Sequence, residues 1–155
     1  MHLNKDASII SHLRKNARES ITKIGRETNT PVSTVFDRLK NYEKNIITKH
    51  TCLLDFKTLG YETRTHIMLK AKSSKREEIK TFIENHPNIN NASRLNNGED
   101  YLLEAYFENI EALQRFNEEA QKTGAKDIQE HFIIEEIKRE GMTPEHNKTV
   151  GKYTR

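Results

Sequence analysis

The chain has 155 residues, 34% of them hydrophobic, with 26 Lys/Arg against 23 Asp/Glu. That length fits one large domain or two small ones, and no stretch approaches the ~18 consecutive apolar residues of a membrane span. Cys52 is the only cysteine, so no intrachain disulfide can form, which suits a reducing cytoplasm; the opening "MHLNKDASII" lacks the apolar run of a secretory signal.

Charge is unevenly placed. Residues 1–50 carry ten Lys/Arg against five Asp/Glu, net +5. Residues 51–141 carry thirteen against seventeen, net −4, and the last fourteen three against one, net +2. A basic head on an acidic body points to a polyanion partner for the head.

In chain order, "NKDASIISHLRKNA" repeats Ala7, Ile10, Leu13 and Ala17 near helical spacing, with Asn4 or Asp6 as its cap. A second helix follows Ser20, with Ile21 and Ile24 inward. It stops at Asn29, a residue that tolerates the left-handed conformation. Thr30 is expected to cap a third helix with Pro31 at its first position, and Val32, Val35, Phe36 and Leu39 form its buried stripe. Gly25 suits a steep crossing of the second and third helices. The outer face of the third helix then shows Ser33, Thr34, Asp37, Lys40 and Asn41, with Arg38 at its edge. Short hydrogen-bonding groups followed by cations are what a base-reading helix needs. A plain three-helix bundle with a solvated face would share this pattern. The β-rich "IITKHTCLL" that follows, expected to form a wing with Lys44, Lys49 and His50 near phosphate, favours a helix-turn-helix.

Beyond "DFKTLG", the segment "YETRTHIMLKAK" reads as a strand with Ile67, Leu69 and Ala71 on one face. Ser74 and Glu77 form a capping-box pair for a helix bearing Ile79, Phe82 and Ile83. "HPNINNASRL" is a second strand, "NNG" a turn, and "DYLLEAYFE" a third strand with Tyr101, Leu103, Ala105 and Phe107 on one face. Asn109 opens a helix with Ile110, Leu113, Phe116 and Ala120; Gly124 closes it, and "AKDIQEHFIIEEIKR" is the last strand. This strand-helix-strand-strand-helix-strand order over residues 61–138 is ferredoxin-like. Leu102, Tyr106, Ile133 and Ile137 give the second sheet face apolar groups that no helix covers. A second copy packing sheet to sheet is the expected cover.

The fold class is therefore α+β, an N-terminal winged helix-turn-helix joined to a C-terminal ferredoxin-like βαββαβ domain. The boundaries are 1–52 for the DNA-binding domain, 53–60 for a linker, 61–140 for the ferredoxin-like dimerisation domain, and 141–155 for a basic, disordered tail.

With "NARESITKIG", "PVSTVFDRLKNYE", "LGY" at 59–61, "HPNINNASRLNNGEDYLLEAYF" and the helix-Gly124-strand ending, the chain resembles the Lrp/AsnC (leucine-responsive/asparagine-regulator) family over about residues 3–140. Gly98 and Asp100 of "GED" match that family's Gly-x-Asp motif. Asn29 and Thr30 depart from its usual glycine and aliphatic residue, and "KNII" is one residue short before the wing. The resemblance implies a transcription regulator that binds double-stranded DNA, dimerises through the body, often assembles into tetramers or octamers, and responds to an amino acid or similar small molecule. The effector site would lie near the Gly-x-Asp turn, here Asn96, Asn97, Gly98 and Asp100; an ordinary hairpin turn has the same composition.

The DNA-contact candidates are Ser33, Thr34 and Asn41 for base edges, Arg38 for guanine, phosphate or a pairing with Asp37, and Lys23, Lys40, Lys44 and Lys49 for phosphate. The chain is read as no enzyme, with no catalytic residue, no cofactor and no metal site. The seven histidines (2, 12, 50, 66, 86, 131 and 146) lack ligand spacing. Two alternatives stand beside the regulator: an architectural DNA protein of low specificity, and a tetrapyrrole decarboxylase on the same fold, in which His66 and His131 could meet in space.

Overall fold

The structure, a computed structural model, describes residues 3–144. Most of the expected disordered tail lies outside the described residues. The described residues divide into two compact units, 53–137 and a second formed by 3–52 with 138–144.

Three helices build the N-terminal unit: α1 (Leu3–Lys15), α2 (Ile21–Glu27) and α3 (Val32–Asn45). Ile9, Ile24, Val35 and Tyr42 are its buried centre, with Ile10, Leu13, Ile21 and Ile47 packed around them. Asp6 does not cap α1, which already runs from Leu3, and the side chain of Asn4 lies outside what the structure describes. Asp6 is spent elsewhere: its Oδ1 accepts from Arg38 Nη1 at 2.6 Å and from the Tyr42 hydroxyl. Ser20 caps α2 as expected, its hydroxyl accepting from the Lys23 N–H at 3.2 Å.

The break between α2 and α3 rests on two residues. Asn29 takes the left-handed conformation, φ 48°, so the chain can turn without glycine. The Thr30 N–H then donates to the Gly25 carbonyl at 2.8 Å. A Cβ on Gly25 would sit 2.8 Å from the Thr30 carbonyl oxygen and 3.5 Å from Val32 Cγ2, which is why the crossing needs glycine. The cap of α3 is Pro31 rather than Thr30. The proline's ψ of 140° keeps it extended, its carbonyl accepts the first helical bond from the Val35 N–H, and no side chain caps the helix. Thr30 Oγ1 donates instead to the Thr28 carbonyl.

Two expectations about α3 and its sequel are corrected. Val32 and Phe36 are not buried: they stand 41% and 44% exposed, and only Val35 and Tyr42 are fully inside. No wing forms, because residues 47–55 contain no strand and a β-rich segment cannot become one without a partner edge to share hydrogen bonds. The N–H groups of Ile46 and Ile47 both donate to the Tyr42 carbonyl, and His50 Nε2 lies 3.3 Å from Glu43. These bonds hold the start of the segment against α3. At the other end of the unit, Arg14 pairs with Glu140 at 2.5 Å and donates to the Met142 carbonyl at 3.3 Å.

The second unit is a four-stranded antiparallel sheet in the order β2-β3-β1-β4, with two helices on one face. Its elements are β1 (Thr63–Ala71), a single 3₁₀ turn (Ser73–Lys75), α4 (Arg76–Asn85), β2 (Ile89–Arg94), β3 (Tyr101–Phe107), α5 (Ile110–Thr123) and β4 (Ala125–Phe132). Ile67 and Leu69 of β1, with Tyr101, Leu103, Ala105 and Phe107 of β3, meet Ile79 and Ile83 of α4 and Leu113, Phe116 and Ala120 of α5. Period-2 strands against period-3.6 helices explain every member of that set.

Asn109 caps α5 through the Ala112 N–H, and Gly124 ends it at φ 128°. A Cβ on Gly124 would lie 2.4 Å from Lys75 Cβ. The Ser74–Glu77 capping box does not form. The 3₁₀ turn intervenes, the cap is Lys75 without a side-chain bond, and Lys75 pairs with Glu78 at 2.8 Å. The last strand stops at Phe132; after one further bond, Ile133 N–H to the Arg64 carbonyl, the chain leaves the sheet, and Ile137 is 91% exposed rather than on a sheet face.

The face away from the helices is not wholly bare. Phe56 lies on the Tyr106 ring at 4.2 Å between centroids, and Tyr106 is buried. The segment before β1 therefore supplies part of a cover expected only from a second copy.

Candidate functional site

The outer surface of α3 carries the residues expected to meet a polyanion. Ser33, Lys40, Asn41 and Lys44 are exposed and Thr34 is half-buried. Asn41 commits its side-chain oxygen, which accepts from Asn45 Nδ2 at 2.8 Å. Lys40 places its ammonium 4.4 Å from the centre of the Phe36 ring. Lys49 is exposed on the segment after the helix.

Two candidates face other work. Arg38 is engaged by Asp6 rather than by Asp37 and is only 19% exposed. It braces α3 against α1, and burial followed by the Asp6 carboxylate pushes the Tyr42 hydroxyl pKa well up. Lys23 sits 2.5 Å from Glu19, just ahead of its helix, and 3.9 Å from Glu27 at the end of it. The bond to Glu19 raises the lysine pKa, and Lys23, then His12, lower that of Glu19.

His12 joins the same group, 2.9 Å from Glu19 and 3.7 Å from Glu27. These three offer ligand atoms within 4.8 Å of one another, a grouping that histidine spacing alone could not reveal because two of its members are glutamates. The Lys23 ammonium already supplies a cation there.

In the second unit, Asn96, Asn97 and Gly98 form the exposed turn between β2 and β3, with Gly98 at φ 81°. Asp100 closes the turn from within. One of its carboxylate oxygens accepts from the Ala71 N–H at 2.9 Å, the other pairs with Arg76 at 3.3 Å, and its own N–H donates to the Leu69 carbonyl. Asp100 thus ties the turn to β1 and α4 with both oxygens. Beside it, Glu99 Oε2 is buried without a hydrogen-bond partner among the described residues. Sequence reading missed Glu99, since a charged turn residue gives no sign of being desolvated.

On the open sheet face, Glu104 accepts from Asn90, Asn91, Arg64 and the Tyr106 hydroxyl, and Arg64 also pairs with Glu136. Burial alone would raise the Glu104 pKa, but those four donors hold it at about 2. His66 lies directly opposite both Glu104 and His131 in the strand register, so the two histidines do become neighbours.

The Lrp/AsnC ligand-binding domain model matches residues 64–143. The chain belongs to the Lrp/AsnC family. The transcriptional regulator Ptr1 of Methanocaldococcus jannaschii is 33% identical over 112 residues, which are 72% of this chain and 76% of Ptr1. LrpC of Bacillus subtilis, also a helix-turn-helix transcriptional regulator, is 30% identical over 112 residues, 72% of this chain and 78% of LrpC. The LrpC structure superposes with a TM-score of 0.81, covering 86% of this chain and 95% of that one at 28% identity. A transcriptional regulator of Neisseria meningitidis in complex with L-Met superposes at 0.84 over 90% and 94% of the two chains, at 23% identity. This Lrp/AsnC member is a DNA-binding transcription regulator of the helix-turn-helix type, and α2 with α3 is the helix pair that gives the type its name.

Proposed function

We propose that the protein binds duplex DNA sequence-specifically as a homodimer or an assembly of dimers, with its two third helices entering successive major grooves roughly 34 Å apart. The observation that carries this is the surface of α3. Hydrogen-bonding Ser33 and Asn41 alternate there with Lys40 and Lys44, on a helix locked in place by Gly25, Asn29 and the Asp6–Arg38 pair. Ser33, Thr34 and Asn41 read base edges; Lys40, Lys44 and Lys49 meet phosphate. Lys23 reaches phosphate only by leaving Glu19, and Arg38 acts by holding α3 rather than by touching DNA. Met68, Leu102 and Ile133, half-buried in the single chain, support a sheet-to-sheet dimer. A chemistry-free, cytoplasmic regulator fits this set of residues.

We further infer that the turn at Asn96, Asn97 and Gly98 takes an amino acid. The Neisseria relative holds L-Met, and the Glu99 oxygen, without a partner among the described residues, is an acceptor suited to an ammonium group. Asp100 keeps the turn in shape.

The test is binding of the purified protein to duplex DNA from upstream of its own gene and to scrambled DNA, across a salt series, with an amino-acid panel at one salt. A preference of at least about 10³ for the upstream DNA is expected. Lys44→Ala should flatten the salt slope by about one unit. Light scattering on the same sample should give a dimer or a multiple of it. Equal binding to both DNAs would replace specific regulation with an architectural role; no binding at low salt would overturn the DNA reading of α3, and indifference to every amino acid would remove the effector.

A further inference from the structure

The apolar residues that α3 leaves outside are placed with some order. Val32, Phe36 and Lys40 follow one another at four-residue spacing, which puts them in one row along the helix. The two apolar members of the row are 41% and 44% exposed, while Val35 and Tyr42 on the inner side are 1% and 3%. A phenylalanine half in water forgoes hydrophobic stabilisation that it gains only when something covers it.

The Lys40 ammonium stands over the face of that ring at 4.4 Å. This cation–π contact steadies the ring on the outer flank of the helix and fixes a cation beside it. Ser33, exposed and polar, lies one residue after the start of the row. What covers the ring must therefore be a small apolar group set among hydrogen-bonding edges and next to negative charge.

In the major groove of DNA only one standard base offers such a group. Guanine, adenine and cytosine present donors and acceptors, whereas thymine adds the C5 methyl. We infer that Phe36, flanked by Val32, is the thymine-reading residue of α3, packing its ring on thymine methyl groups while Lys40 spans from the ring towards the neighbouring phosphate. The inference rests on the DNA-binding reading of α3 and assigns to the helix a specificity element that its polar residues do not supply.

The test uses the full-length wild-type protein and a duplex that it selects from a randomised DNA library. Each thymine of that duplex is replaced singly by deoxyuridine, which removes the methyl and nothing else. One or two positions in each half-site should weaken wild-type binding about four-fold, the worth of one buried methyl. Phe36→Ala should bind the thymine and deoxyuridine duplexes equally at those positions, with unchanged circular dichroism. Phe36→Leu, which keeps an apolar tip, should retain part of the difference and serves if the alanine variant does not fold.

Wild-type indifference to every deoxyuridine, or a methyl preference that survives in Phe36→Ala, would overturn the assignment while leaving DNA binding intact. So would wild-type indifference accompanied by loss of assembly in Phe36→Ala, which would make the ring a contact between copies. Failure to select any duplex would overturn the DNA-binding reading as well.

Discussion

In residues 53–137, thirteen buried side chains form one cluster between sheet and helices, whereas among the described residues of the N-terminal unit four do. The head compensates with polar ties. Asp6 joins α1 to Arg38 and Tyr42 of α3, and Glu19, Lys23, Glu27 and His12 bind α1 to α2. Apolar burial is non-directional and tolerates small shifts, while hydrogen-bonded charge demands a fixed geometry. A unit that must present one helix at a defined angle is served by the second kind of bond, and a unit that must persist as a scaffold by the first.

The sharpest break of that contrast is in the scaffold. Phe116, 1% exposed and within 5.5 Å of Phe82 and 5.4 Å of Phe107 between ring centroids, should cost about 3–5 kcal/mol when replaced by alanine. Denaturant unfolding of the full chain should show that loss in the transition of the sheet unit and leave the helix unit's transition in place. A common shift of both would show that the two units unfold as one.

Glu104 sharpens the contrast from the other side, as a polar tie inside the apolar unit. Its folded pKa of about 2 lies below the ordinary 4.5, so its stabilisation is full above pH ~4.5 and disappears as pH falls towards 2. A depression of more than two units amounts to roughly 3 kcal/mol. The stability difference between wild type and Glu104→Gln should therefore be near that figure at pH 6 and shrink through the window from pH 4.5 to 2. A difference that does not change with pH would mean that the four donors serve shape and not charge.

Asp6→Ala tests the head and should be the smallest of the three, about 2 kcal/mol, because it removes the acceptor that Arg38 and the buried Tyr42 share. Thermal unfolding followed at α-helical wavelengths reads it. If Tyr42→Phe costs nothing while Asp6→Ala costs the full amount, the ion pair alone holds the helices.

What could be read from residues alone was local. Ser20, Asn29, Gly25, Asn109 and Gly124 act on the turns in which they sit, and each does in the structure what its chemistry requires. Alternation in "DYLLEAYFE" likewise picked out the buried face of β3. The Thr30 cap failed locally, to its neighbour Pro31, but other failures share a cause: their outcome depends on residues far away in the chain. Asp6 looks like a cap until Arg38 and Tyr42, 32 and 36 residues on, claim it. Ser74 and Glu77 fit a capping box until the approach of Lys75 to Gly124 shapes that corner. The wing was β-rich without an edge to pair with. At the α3 surface, periodicity assigns an apolar residue to the inside, so it hid Phe36 and Val32, the two that the helix leaves exposed. Asp100 was found by its motif, but its role of tying the turn to Ala71 and Arg76 could be seen only in three dimensions.

Gly25 has no side chain to exchange, and the space beside it is filled by the Thr30 carbonyl. Mutation on the outer row of α3 alters side chains that little else in the head depends on. Mutation at Gly25 moves the whole helix. Inherited variation is thereby channelled: the side chains on the outer row of α3 can be rewritten over many generations, while the angle at which the helix is held stays the same.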